Sequence, residues 1–243
     1  MKINLWEEYE KWINNCSFID LTHTLSPNTP HWSGFSPMVM NTIFDYNDGF
    51  YVHEFSVVGQ FGTHIDAPNH FVKNTRSLDQ ILPSEMILPL CVIDISEKVK
   101  TNVDYSITLD DLKTWEKEYG KIPKNCFVAL RTDWYKKDDL DNCDKNGKKH
   151  YPGWSMDVLK FLVEKRDIKA IGHETSDTDP AIQGDKDGLI MEYYILEQER
   201  YQIELMKNLD KLPPKGALIF CGFPKVKNGT GFPARCIAIT PNL

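Results

Sequence analysis

The stretch from Gln60 to Phe71, QFGTHIDAPNHF, gathers an amide, two imidazoles and a carboxylate, punctuated by Gly62 and Pro68. In an extended chain residues two apart share a face, so Gln60, Gly62, His64 and Asp66 point one way while Phe61, Thr63 and Ile65 point the other. A helix would splay His64 away from Asp66 and would accommodate Gly62 and Pro68 poorly. The spacing therefore predicts a strand or strand end, with Gly62 leaving open space between Gln60 and His64 for an ion, a water or a substrate. Imidazole nitrogen and carboxylate oxygen are the usual donors to a catalytic zinc or manganese, whose site keeps one position free for water.

Two neighbouring donors are too few to hold an ion, so others must come from distant segments. Glu204, in YQIELMKNL, is flanked by Ile203, Leu205 and Met206. Burying that charge unpaired would be costly, which points to a cation partner; the alternative is a surface glutamate on an amphipathic segment. His70 lies four residues beyond Asp66, past the turn expected at Pro68. It could face the same cavity without binding the ion, where an imidazole titrating near neutrality can carry a proton to a leaving group; the alternative is a structural histidine.

The elements that must position these groups are short. Runs of β-branched and apolar residues bounded by Gly, Pro, Asn or Asp predict strands at SFIDLTH, VHEFSVVG, LPLCVIDI, NCFVALRT, DIKAIG, GALIFCG and ARCIAI. One helix is expected from Thr108, with Asp111 three residues on, to Gly120, and another after Ser155, carrying Val158, Leu159, Phe161 and Leu162. Leu5, Trp6, Tyr9, Trp12 and Ile13 recur at helical spacing, so the first fifteen residues predict an amphipathic helix packed on the body or on a partner subunit. Alternating strands and helices predict an α/β fold. No linker, repeat or low-complexity tract divides residues 1–243, which read as a single domain. The charged segment from Tyr135 to His150 reads as a solvated excursion, although loops of this length can also serve as lids.

With 41% apolar and 12% aromatic residues, the chain can bury a substantial core. Its formal charge of -7 and its scattered Lys and Arg argue against nucleic acid as a partner. The start, MKINLWEEYEKWINN, is too polar for a signal peptide, and no apolar run approaches the roughly 20 residues that span a bilayer, so a cytoplasmic protein without a membrane partner is expected. The six cysteines form no CxxC pair and read as reduced, mostly buried thiols.

The run GTHIDAPNHF resembles the signature of the cyclase-family metal-dependent hydrolases, HxGTHxDxPxH, a group that includes bacterial kynurenine formamidase and isatin hydrolase. The similarity continues in order through FIDLTHTLSPNTPHWSG, ALRTDW, KAIGHETSDTDP, IELMKNLDKLP and GFPARCIAI. It implies a swivelling β/β/α domain, with a mixed sheet core and flanking helices, assembled as a homodimer or homotetramer. Carried over position by position, it makes His64 and Asp66 metal ligands, Asp66 able to bridge two ions, Glu204 the late glutamate ligand and His70 the proton-transfer histidine. Two positions depart from the family pattern. Gln60 stands where the first histidine ligand is usual, and Glu192 where a second distant histidine precedes the late glutamate. The ligand set Gln60, His64, Asp66, Glu192 and Glu204 is thus richer in oxygen, consistent with one or two divalent ions, Zn2+ or Mn2+, and shifted towards the harder cation. His173 is a candidate for the missing imidazole, while Glu174, Asp177 and Asp179 are expected to orient ligands or cap the following segment.

An ion so held lowers the pKa of a bound water from about 15.7 towards roughly 7 and polarises a carbonyl. The resemblance implies hydrolysis of an amide C–N bond in a small aromatic amide such as N-formylkynurenine, an arylformamidase activity of tryptophan catabolism, with His70 passing a proton to the departing nitrogen. Cyclic amides of the isatin type would undergo the same chemistry. A chain that has lost two histidines could also keep the fold and bind a ligand or ion without turnover. Pro30, His31, Trp32 and Phe35 either wall an aromatic pocket, with Trp32 and Phe35 touching the substrate, or pack structurally. SGFSP and PGWSMD both lack the second glycine of a GxSxG elbow, which disfavours a serine hydrolase. Arg235 could steady the site, bind a substrate carboxylate or form a structural ion pair.

Overall fold

Runs such as LPLCVIDI and NCFVALRT, apolar at nearly every position, need cover on both faces, as the strands of a parallel sheet do. The computed structural model, which describes residues 3–242, places them at the centre of a nine-stranded mixed sheet. In chain order the strands are β1 (Cys16–Asp20), β2 (Val39–Phe44), β3 (Val52–Ser56), β4 (His64–Asp66), β5 (Ile87–Asp94), β6 (Phe127–Arg131), β7 (Ala170–His173), β8 (Tyr201–Glu204), β9 (Lys215–Gly222), β10 (Gly231–Pro233) and β11 (Arg235–Pro241). The main sheet runs β1-β11-β9-β5-β6-β7-β8-β4-β10. Neighbours from β5 to β8 are parallel and the outer pairs antiparallel. The helices are α1 (Leu5–Asn15), α2 (Ser96–Thr101), α3 (Leu109–Tyr119), α4 (Met156–Arg166), α5 (Ala181–Asp187) and α6 (Ile190–Glu197). The expected mixed sheet with flanking helices is borne out.

Alternation along β6 divides the interior into two cores. Val128 and Leu130 join Leu112 and Trp115 of α3, Leu159 and Leu162 of α4, and Ile195 of α6. Phe127 and Ala129 face the opposite side, where Ile65, Ile203, Ile219 and Ala238 meet as the sheet curls around them. Each fully buried Leu or Ile contributes on the order of 2 kcal/mol, so both layers matter to stability. Helix α3 starts as expected: Thr108 Oγ1 accepts the Asp111 N–H at 3.2 Å, while the Asp111 carboxylate accepts the Thr108 N–H at 2.9 Å.

Three expectations are modified. VHEFSVVG does give a strand, β3, but it pairs with β2 in a separate hairpin rather than in the main sheet. Helix α1 forms and touches β1 and β11, but it buries no residue and Trp6 is 83% exposed, so its apolar stripe is largely uncovered in the single chain. The segment YQIELMKNL holds β8, an unpredicted central strand that ends where Leu205 adopts φ +50°. The segment from Tyr135 to His150 is mostly turns and coil after one 3-10 turn and is pinned by His150 on Asp104 and Lys149 on Ser33. Among the described residues no helix is long and apolar enough to cross a membrane.

Behind the parallel strand ends, the His23 N–H donates to Thr63 Oγ1 at 2.9 Å, and that hydroxyl donates to the Leu205 carbonyl at 2.6 Å. This chain of bonds ties the exit of β1 to β4 and β8. The His23 Nε2 is buried without a partner, and burial, helped by Lys207, holds its pKa down at about 4. Because the unfolded chain takes up this proton first, stability is lost as pH falls below about 6.5 towards 4. After discounting for partial exposure, the loss at pH 5 is on the order of 1 kcal/mol. Urea unfolding at pH 7 and pH 5 is expected to show this extra loss in the natural protein and not in His23→Asn; equal losses would contradict it.

Candidate metal centre

Pairing of β4 with β8 builds the site. The antiparallel register sets His64 opposite Glu204 and Asp66 opposite Gln202, while Ile65 faces Ile203 on the apolar side. Four polar side chains therefore share one face, and none is more than 4% exposed. Gly62 turns the chain into β4 with φ +64°, a left-handed conformation that suits glycine. Its carbonyl accepts the His64 Nδ1–H at 2.8 Å, which leaves the Nε2 lone pair directed inward.

His64 Nε2 lies 3.4 Å from Asp66 Oδ2 and 3.5 Å from Glu204 Oε2. Donors about 2.1 Å from a tetrahedral ion stand about 3.4 Å apart, so this spacing fits a small divalent cation. Asp66 Oδ1 is also buried and has no hydrogen-bond partner. The electrostatics agree. Burial and then Asp66 push the Glu192 carboxyl well up, and burial and then Glu192 do the same to Glu204. Burial works against ionised Asp66, but His64, His70 and Gln202 together outweigh it and bring Asp66 down to about 2. A cation would relieve this crowd of buried acids.

Asp66, His70 and Glu192 form a second group whose ligand atoms lie within 4.8 Å of one another. Glu192 is placed there by Asp179, whose carboxylate accepts the Met191 and Glu192 N–H groups at 3.0 Å each and so holds the start of α6. His70 Nε2 is 3.9 Å from Asp66 Oδ1. Gln60 lines the same cavity, its Nε2 3.5 Å from His70 Nδ1 and 3.4 Å from Thr230 Oγ1.

His173 does not supply the missing ligand. The indole N–H of Trp154 points at His173 Nδ1 from 3.3 Å, and an indole can only donate, so the imidazole proton sits on Nε2 and faces Glu204 Oε1 at 3.3 Å. His173 therefore steadies a carboxylate. Glu174 is spent on the turn after β6, where its Oε2 accepts from the Thr132 N–H and hydroxyl and from the Trp134 N–H. Asp177 lines the cavity and takes the Tyr151 hydroxyl. Arg235 pairs with Asp20 in a different cleft.

The cavity above these groups measures about 280 Å³. Trp32 and Phe35, packed edge to face at 4.9 Å, line it with Phe71, Leu189 and Leu205. His31 instead stacks on Phe61, and no residue from Tyr135 to His150 lines the cavity. Sequence reasoning missed Gln202, although its place two residues before Glu204 on one strand puts both on the same face. The orienting carbonyl gives a test. A Cβ at residue 62 would meet Thr29 Cγ2 at 2.8 Å in a strained backbone. Gly62→Ala is expected to cost about 1–3 kcal/mol in urea unfolding and to weaken Mn2+ binding about tenfold by calorimetry; unchanged affinity would contradict the role given to the carbonyl.

A family model described as "Putative cyclase" matches residues 19–180, which include the β4 motif. The isatin hydrolase of Roseibium aggregatum is 32% identical, with 92% of this chain and 91% of that protein aligned. Isatin hydrolase A from Ralstonia solanacearum superposes with a TM-score of 0.91 at 31% identity, covering 99% of this chain and 98% of that one. An isatin hydrolase bound to the product analogue thioisatinate also gives 0.91, at 29% identity and 98% coverage of both. By its motif, its fold and these relatives, the chain belongs to the cyclase family of metal-dependent hydrolases.

Proposed function

We propose that the chain hydrolyses the C–N bond of a small aromatic cyclic amide of the isatin type. The reading is carried by one observation: a buried set of imidazole and carboxylate donors forms the floor of a small cavity walled by aromatic and aliphatic side chains. His64, Asp66 and Glu204 would hold a divalent cation, zinc or manganese, with Glu192 and Gln60 beside it. Such a cation supplies Lewis acidity and a reactive water at neutral pH. Similarity to isatin hydrolases over nearly the whole chain supports the substrate class.

The chain's own residues account for the rest. Trp32, Phe35 and Phe71 offer faces and edges to a flat ring, while Leu189 and Leu205 exclude bulk water. In the reaction water adds to the amide carbon and the C–N bond breaks. The ring opens, leaving on one product a carboxylate at the former amide carbon and an aryl amine at the nitrogen, which takes a proton that His70 would deliver. The cavity also bears on the choice between a lactam and an open-chain formamide. N-Formylkynurenine carries an amino-acid carboxylate, and among the described residues no Lys or Arg lines the cavity to pair with it; the isatin ring is neutral.

Two assays test this reading. With Mn2+ or Zn2+ added, hydrolysis of isatin is expected to exceed that of N-formylkynurenine and simple aryl formamides by tenfold or more in kcat/KM, roughly the discrimination a missing polar partner produces; the reverse order would restore the arylformamidase assignment. His70→Ala is expected to retain its metal content while losing about a hundredfold in kcat. Loss of metal with activity would make His70 a ligand, and no turnover of any amide by the metal-loaded natural protein would favour a non-catalytic binding role.

A further inference from the structure

Gln202 is wholly buried at the centre of the acidic cluster. Its Nε2 lies 3.1 Å from Asp66 Oδ2, 3.1 Å from Glu192 Oε1 and 3.0 Å from Glu204 Oε1. Those three acids come from β4, α6 and β8, so one amide ties together three of the elements that build the site. Its orientation is set from behind: Oε1 accepts the hydroxyl hydrogen of Thr178 at 2.5 Å, and Thr178 is itself fully buried. Turned over, the amide would aim its oxygen at three carboxyl oxygens, acceptor against acceptor. Thr178 is anchored in turn, because its carbonyl accepts the Trp154 N–H at 2.9 Å.

We propose that Gln202, locked by Thr178, is the positioning residue of the metal centre: a neutral donor hub that holds Asp66, Glu192 and Glu204 in a preformed arrangement and offsets part of their mutual repulsion before a cation arrives. The proposal rests on the reading of this site as a divalent-cation site. The residue type is suited to the task. A glutamate at 202 would add a fourth acid and remove the shared donor, whereas a lysine would bring a full charge that competes with the ion. An amide supplies no net charge and two hydrogens, one of which must be shared between two of the three carboxyl oxygens. It leaves Glu204 Oε2 and the orphaned Asp66 Oδ1 outside its contacts, and Asp66 Oδ2, which it does bond, keeps a second lone pair on the side of His64 Nε2.

The test uses the full chain, stripped of metal and titrated with Mn2+ alone by calorimetry, beside thermal melts of the metal-free protein. Thr178→Val removes the hydroxyl and keeps the shape; Thr178→Ser keeps the hydroxyl. Thr178→Val and Gln202→Leu are expected to weaken Mn2+ binding about tenfold or more and to lower the metal-free melting temperature, while Thr178→Ser stays within about twofold of the natural protein. If Gln202→Leu fails to fold, the two Thr178 variants still decide the matter. Natural affinity in Thr178→Val overturns the proposal, as does an equal loss in Thr178→Ser, which would assign the effect to packing. Failure of the natural protein to bind Mn2+ or Zn2+ overturns the metal reading itself, a result visible before any variant is compared.

Discussion

Carboxylates repel one another most where water is scarce, and the interior beside β4 and β8 concentrates Asp66, Glu192 and Glu204 there with Asp177 nearby. A buried acid normally takes up a proton or finds a cation, because its ionised form loses solvation that little in the protein replaces. Here the surroundings supply one amide nitrogen, one imidazole behind Glu204, and His64 with its lone pair turned inward. That balance is short of positive charge. The surrounding fold makes sense as a means of keeping these acids close, dry and correctly aimed until a divalent ion completes them.

The fold meets that demand with few rigid parts. The register between β4 and β8 places four polar groups on one face without a long loop. The parallel strands β7 and β8 end at the site, so His173 and Glu204 arrive there from the firmest part of the sheet. Helix α6 delivers Glu192 from a third direction, its first turn tied to Asp179. The apolar wall from Trp32 to Leu205 then covers one side of the centre with groups that strengthen electrostatic interactions by excluding water.

Much of this was legible in the sequence where the information is local. Alternation in an extended chain was enough to put His64 and Asp66 on one face, and an apolar context was enough to single out Glu204. The capping pair Thr108 and Asp111 lies within one helical turn, so the start of α3 could be read directly. What escaped was non-local. Asp179 holds α6 from the far side of α5, and no sequence window shows that contact. The tautomer of His173 depends on Trp154, nineteen residues away in the chain. Gln202 carries no local signal, because its importance comes from facing Asp66 across a sheet. The exposed stripe of α1 was legible as apolar, but nothing in one chain says what covers it. The family resemblance added Glu192, which the residues alone would not have marked, and gave Gln60, already on the shared face, a ligand position.

The most direct measurement is a crystal structure of the full chain grown with excess Mn2+, with anomalous data collected to locate the ion. The account predicts an anomalous peak within about 2.3 Å of His64 Nε2 and of carboxyl oxygens from Asp66 and Glu204. An empty centre, with those three side chains paired only to one another or to water, would contradict it.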